Sequence, residues 1–102
     1  MTIGNSDDLQ LWHSGSVSYI RDMGTGGLHI QTDGPAIYLQ DTDGNAMAQF
    51  TANGGNFLYF NKALKFNTTN TGVTVAGDAT INGSVTASDG LSANNLDSAF
   101  NI

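Results

Sequence analysis

Residues 28–50 read LHIQTDGPAIYLQDTDGNAMAQF, and this stretch decides the fold. Apolar and polar side chains alternate in three short runs, Leu28–Gln31, Ala36–Gln40 and Ala46–Phe50, and Asp-Gly turns separate them. Alternation with a period of two predicts strands with one apolar face. The inward residues recur at a spacing of nine, since Leu28, Ile37 and Ala46 form one series and Ile30, Leu39 and Ala48 another. Such regularity indicates a repeat architecture.

Further alternating runs lie on either side of this stretch. Residues 1–8 are predicted to be a polar lead-in, followed by strands at 8–13, with Leu9 and Leu11 inward, and at 17–21, with Val17 and Tyr19 on one face. Beyond it, residues 56–61 are apolar on both faces, which is typical of a strand covered on both sides. Leu64 and Phe66 open another strand, and Val73 and Val75 follow nine residues later.

Residues 71–94 form four hexads with apolar third and fifth positions and Thr or Ser between them. The third positions are Val73, Ala79, Val85 and Leu91, and the fifth positions are Val75, Ile81, Ala87 and Ala93. One copy of such a strand cannot bury its apolar side chains, and four hexads are too few for a single-chain β-helix of several coils. Three chains wound about a common axis satisfy the pattern, so the sequence predicts a homotrimer.

The predicted fold class is therefore all-β: an elongated homotrimer of short strand-turn-strand layers with a triple-stranded β-helix-like shaft. We assign residues 1–70 to the strand-turn-strand region, 71–94 to the hexad shaft and 95–102 to a C-terminal tail. The absence of Glu agrees with an absence of long solvated helices.

Composition excludes several functions. A net charge of −6, with Arg21, Lys62 and Lys65 as the basic residues, disfavours binding to nucleic acid or to an anionic membrane. No apolar run approaches the ~18 residues of a membrane span, no signal peptide is recognisable, and there is no Cys for a disulfide or thiolate site.

Residues 8–22, DLQLWHSGSVSYIRD, resemble a strand-turn-strand repeat of tail-fibre and other structural proteins of tailed phages, notably marine cyanophages. Residues 72–83, GVTVAGDATING, are similar to fibre-shaft hexads of the same proteins. The resemblance covers most of residues 8–94. It implies a virion fibre or spike with a structural or adhesive role, with other tail or fibre proteins as partners. A carbohydrate-binding tip and a capsid or neck decoration protein remain alternatives.

Candidate site residues are few. Trp12, Tyr38 and Tyr59 alternate away from the Leu and Ile positions, so they are candidates for stacking on host polysaccharide or for packing against a neighbouring chain. The loop DTDGN at 41–45 suggests calcium, but the EF-hand pattern fails, because Ala46 and Ala52 stand at its sixth and twelfth positions. Asp-Gly turn chemistry explains that loop better.

His13 and His29 raise the possibility of a metal on a threefold axis, although a solvated or hydrogen-bonded His is the expected state. A polysaccharide depolymerase would need two carboxylates across a groove, and most Asp residues here lie in turns. We therefore predict no enzyme activity, no metal and no cofactor.

Overall fold

A computed structural model of the chain describes residues 1–94, and every regular element in them is a β-strand. The predicted C-terminal tail, 95–102, lies outside the described residues. The all-β class is thus confirmed. Within residues 1–94 no helix is present that could cross a membrane.

The first sheet has three antiparallel strands in the order β1-β2-β3: Thr2–Ile3, Leu9–His13 and Ser18–Asp22. β2 and β3 confirm the predicted strand pair to within one residue at each end. β1 corrects the prediction that residues 1–8 are only a lead-in, because Thr2 and Ile3 pair with Gln10 and Leu9. Two residues are too few to show a periodicity.

The second sheet has five antiparallel strands in sequence order: β4 Ala36–Gln40, β5 Ala46–Thr51, β6 Phe57–Phe60, β7 Ala63–Thr69 and β8 Gly72–Val75. β6 and β7 meet at a two-residue turn, where Asn61 and Lys62 both have positive φ, 46° and 73°. This is the backbone of a type I′ turn, whose twist matches that of a hairpin.

The predicted strand Leu28–Gln31 is wrong. Residues 27–32 form no strand, and both Leu28 and Ile30 remain exposed. An alternating run becomes a strand only if it finds a hydrogen-bonding partner, and this one connects β3 of the first sheet to β4 of the second. The nine-residue repeat therefore does not extend back to Leu28.

The hexad region behaves in two ways. Its first hexad supplies β8, which pairs with β7 and so joins the second sheet across the predicted boundary at residue 70. Residues 76–94 form no strand within one chain. A triple-stranded shaft needs hydrogen bonds between chains, so the shaft stays a prediction.

The chain is elongated, and residues 1–94 have almost no interior. Its extents are 63 × 33 × 31 Å and its radius of gyration is 20.1 Å, whereas a compact chain of this length has about 13 Å. Ala48, at 7 % exposure, is the only apolar residue buried among the described ones. Strands of the first sheet do not contact strands of the second within residues 1–94. Each sheet therefore presents its faces without a cover from the other.

Candidate functional site

The second sheet carries an unbroken row of apolar side chains across all five strands. The row runs Leu39, Ala48, Leu58, Phe66, Val75, and each residue is the direct cross-strand partner of the next. Since paired residues in antiparallel strands point to the same side, these five lie on one face. We call this face, with its neighbours in alternation, the apolar face: Ile37, Leu39, Ala48, Phe50, Leu58, Phe60, Phe66, Val73 and Val75.

Two bulges set the register of this row. Between β4 and β5 the pairing shifts after Leu39, so that Met47 is the extra residue; between β6 and β7 it shifts after Leu58, so that Lys65 is extra. The second bulge pairs Leu64 with Tyr59, while Phe66 pairs with Leu58. The predicted alternation from Leu64 to Phe66 is thus interrupted, because a bulge puts two residues opposite one.

The apolar face is uncharged and largely exposed. Thr68 also lies on it, beside Val73, and its hydroxyl accepts a hydrogen bond of 3.0 Å from the Asn56 backbone N–H. The predicted cover over both faces of residues 56–61 is not met within one chain, since Leu58 and Phe60 are exposed. Contiguous apolar patches of this kind mark interaction sites on soluble proteins.

The opposite face of the same sheet is mixed. Its matching row runs Tyr38, Gln49, Phe57, Asn67, Thr74, again with each residue paired to the next. Tyr38 is exposed, and Tyr59, two residues beyond Phe57 on β6, is half-buried. Two of the candidate glycan contacts, Tyr38 and Tyr59, therefore lie on this mixed face.

The third candidate, Trp12, lies on the first sheet and is stacked on Tyr19. The two residues are direct cross-strand partners, with ring centroids 4.5 Å apart and an angle of 14° between the ring planes. Tyr19 thus lies on the Trp12 face, whereas Leu11 pairs with Ile20 on the other. The sequence prediction missed Tyr19 as the partner of Trp12. The length of the loop at 14–17, four residues, could have predicted this pairing, because loop length sets the register of a hairpin.

The three aromatic candidates thus do not gather on one sheet. An open depression of about 520 Å³ adjoins the Trp12–Tyr19 pair, but it is lined by residues from both faces of the hairpin, including Leu11, His13 and Ile20. The depression therefore extends around the loop end of the hairpin, and it does not form a binding groove along one face of the sheet.

His13 and His29 have separate surroundings. His13 lies directly opposite Ser18, and its Nδ1 and the Ser18 Oγ are 3.0 Å apart in a hydrogen bond. This confirms the expected hydrogen-bonded state. His29 is exposed in the connection between the sheets. Within residues 1–94 no group of three His, Cys, Asp or Glu side chains is arranged to hold a metal ion.

The DTDGN loop is organised by Asp41 itself. Asp41 Oδ1 accepts hydrogen bonds from the backbone N–H groups of Asp43 (3.0 Å) and Asn45 (2.9 Å), and Oδ2 accepts one from Asn45 Nδ2 (3.0 Å). Two hydrogen bonds from Asn45 lower the pKa of Asp41, because they stabilise the carboxylate. The bond from the Asn45 side chain has the larger effect and the bond from its backbone N–H the smaller. Gly44 takes a φ of 86°, which glycine adopts without strain. This is the turn chemistry that the sequence favoured over calcium.

No known family model matches the chain, and neither a curated protein nor a solved structure does. The functional argument therefore depends on the exposed surfaces described above and on the sequence resemblance.

Proposed function

We propose that the chain is a structural component of a phage virion fibre or spike and that it works as a homotrimer. The carrying observation is that one chain buries a single apolar residue, Ala48, among those described, while the apolar face of a five-stranded sheet stays open. Isolated chains with so little buried surface do not offset the entropy of ordering their backbone. Further copies of the chain supply the missing cover.

The elongated form agrees with a mechanical role. The molecule is 63 Å long, and both of its sheets consist of antiparallel strands joined by short turns. Repeating such layers along one axis makes a longer rod, because each layer packs only against the layers next to it. In this proposal the chain holds or presents a host-binding end.

The virion setting rests on the resemblance of residues 8–22 and 72–83 to phage fibre repeats. It implies a location in the tail or fibre and contacts with other tail or fibre proteins. The net charge of −6 is unfavourable for a role at nucleic acid.

A carbohydrate-binding tip is the second candidate, and the Trp12–Tyr19 pair favours it. Both rings remain partly exposed, at 42 % and 39 %, and stacked aromatic surfaces suit the apolar faces of sugar rings. The scattering of Trp12, Tyr38 and Tyr59 over two sheets favours the rod, because a tip requires the aromatics in one groove.

The decisive experiment measures the mass of the purified chain by sedimentation equilibrium and its shape by electron microscopy. We expect three times the chain mass of 10.7 kDa and a rod-shaped particle. A folded monomer that persists on dilution would overturn the proposal. Antibodies against the purified protein should then label the tail appendages of the virus that encodes it, and labelling confined to the capsid would favour a decoration protein.

A further inference from the structure

We propose that the apolar face of the second sheet packs against the same face of two other copies and encloses the interior of the assembly, with the Tyr38 face outside. This inference rests on the proposed trimer and deepens it, because it names the surface through which the copies meet. A trimer whose copies meet through another surface would still serve as a fibre component, so the two claims are separable.

The composition of the two faces carries the assignment. The row Leu39, Ala48, Leu58, Phe66, Val75 contains no polar atom in its side chains, whereas the row Tyr38, Gln49, Phe57, Asn67, Thr74 carries a hydroxyl or an amide on four strands. Burying the second row would leave those polar groups to find partners between chains. Burying the first row requires no such partners, because its side chains carry no polar groups.

Charge permits meeting through this face, although it does not distinguish it from the opposite row, which is uncharged as well. Each chain has a net charge of −6, so copies repel one another unless they meet through an uncharged surface. All nine residues of the apolar face are uncharged, and Lys65, which lies between Leu64 and Phe66 in the sequence, is the extra residue of the bulge.

Most of the apolar face is open to solvent in one chain and is available for burial between copies. Seven large side chains of this face remain between 37 % and 71 % exposed: Leu39, Phe50, Leu58, Phe60, Phe66, Val73 and Val75. Withdrawing these side chains from water stabilises the assembly by about 25 cal/mol for each Å² of apolar surface buried. The first sheet of the same chain does not cover them, since its strands make no contact with the second sheet within residues 1–94.

The width of the sheet fits three copies. Five strands at about 4.8 Å spacing give a sheet ~19 Å wide, and a strand of five residues is ~17 Å long. Three such sheets set as the sides of a triangle each lie ~5 Å from the central axis. That is half of the ~10 Å separation of packed sheets. The corners of the triangle also bring the free edges of β4 and β8 beside neighbouring copies, whereas a two-copy sandwich leaves all its edges open.

The chain contains no Cys, so single Cys variants report local accessibility cleanly. Leu39→Cys and Tyr38→Cys form a matched pair, because both residues lie on the edge strand β4 with nearly equal exposure in one chain, 50 % and 49 %, on opposite faces. The reaction rate of each thiol with a maleimide is measured on the native protein and, as reference, in denaturant. Sedimentation gives the mass of each variant.

We expect a trimer in which Cys at position 39 reacts at least about tenfold more slowly than Cys at position 38, since buried thiols are inert. Equal rates, or slower reaction at position 38, in a protein that is a trimer would overturn this inference and leave the proposed function standing. A wild-type monomer would overturn both, and a dimer would overturn the threefold packing. If Leu39→Cys prevents assembly, Val73→Cys and Thr74→Cys on β8 repeat the comparison, with position 73 expected to be protected.

Discussion

Trp12 and Tyr19 face each other across β2 and β3 as a stacked pair, with centroids 4.5 Å apart. The hairpin is closed just beyond them by the His13–Ser18 hydrogen bond and by a backbone hydrogen bond of 2.8 Å from Ser14 N–H to Val17 C=O. Since the first sheet has only three strands, one of two residues, this pair is a large share of its side-chain packing.

Replacing Trp12 by Ala should destabilise the first sheet by more than about 0.5–1.5 kcal/mol, because it removes both the aromatic pair, which is worth that amount beyond its area, and the buried area of the side chain. Thermal unfolding followed by circular dichroism measures it. Tyr19→Ala is the matched control and should cost a similar amount. If Trp12→Ala abolishes adsorption to host cells while the assembly persists, the glycan role gains support; unchanged adsorption counts against it.

Gly55→Ala should destabilise the second sheet by about 1–3 kcal/mol, the range for overpacking. A Cβ at this position would lie 2.7 Å from the Thr68 carbonyl oxygen and 3.1 Å from Phe57 Cζ. Gly72→Ala is the control, because a Cβ there meets nothing within 4 Å. Chemical denaturation of both variants gives the difference, and equal midpoints would refute the close approach at Gly55.

Lys62→Gly should stabilise the β6–β7 hairpin by about 1 kcal/mol, because a residue with a Cβ pays roughly that amount for left-handed φ. Lys62 has a φ of 73°. Lys62→Ala removes the same charge and keeps the Cβ, so it should not stabilise. A shift of the unfolding midpoint common to both variants would mean that the lysine charge, and not the backbone, is responsible.

Asp41→Ala should lower the melting temperature most at neutral pH. The pKa of Asp41 is lowered in the folded chain below its ordinary value of 3.8. Its carboxylate therefore adds stability above the unfolded-state pKa and loses it as the pH falls through the folded-state pKa. The gap between wild type and variant should close below pH 3.8. Asp41→Asn, which keeps an oxygen acceptor without the charge, should show a smaller gap at neutral pH that narrows over the same pH range, because neither variant titrates at this position.

Local patterns predicted the strands well where a turn and a partner were both near in sequence. The Ala36–Gln40 and Ala46–Thr51 hairpin follows from alternation and the Asp41–Asn45 turn. Leu28–Gln31 has the same alternation and is no strand, because periodicity alone does not supply a partner.

The candidate surfaces were less accessible from the sequence, because they depend on register. The row from Leu39 to Val75 exists only because bulges at Met47 and Lys65 shift the pairing, and bulges have no reliable signal in one sequence. The Trp12–Tyr19 stack depends on a single loop length. In contrast, the Asp41 turn was predictable, since its hydrogen bonds join residues within one pentapeptide.

Among the described residues, Ala48 is the only apolar residue that is buried, so a single chain gains little stability from its own packing. In the proposed assembly, association and folding are then a single reaction, and dilution acts as a denaturant. Melting temperatures would rise with protein concentration, and every substitution would change three equivalent positions in each particle. Newly synthesised chains would also have to encounter other copies quickly, so the rate of synthesis would govern the yield of folded protein.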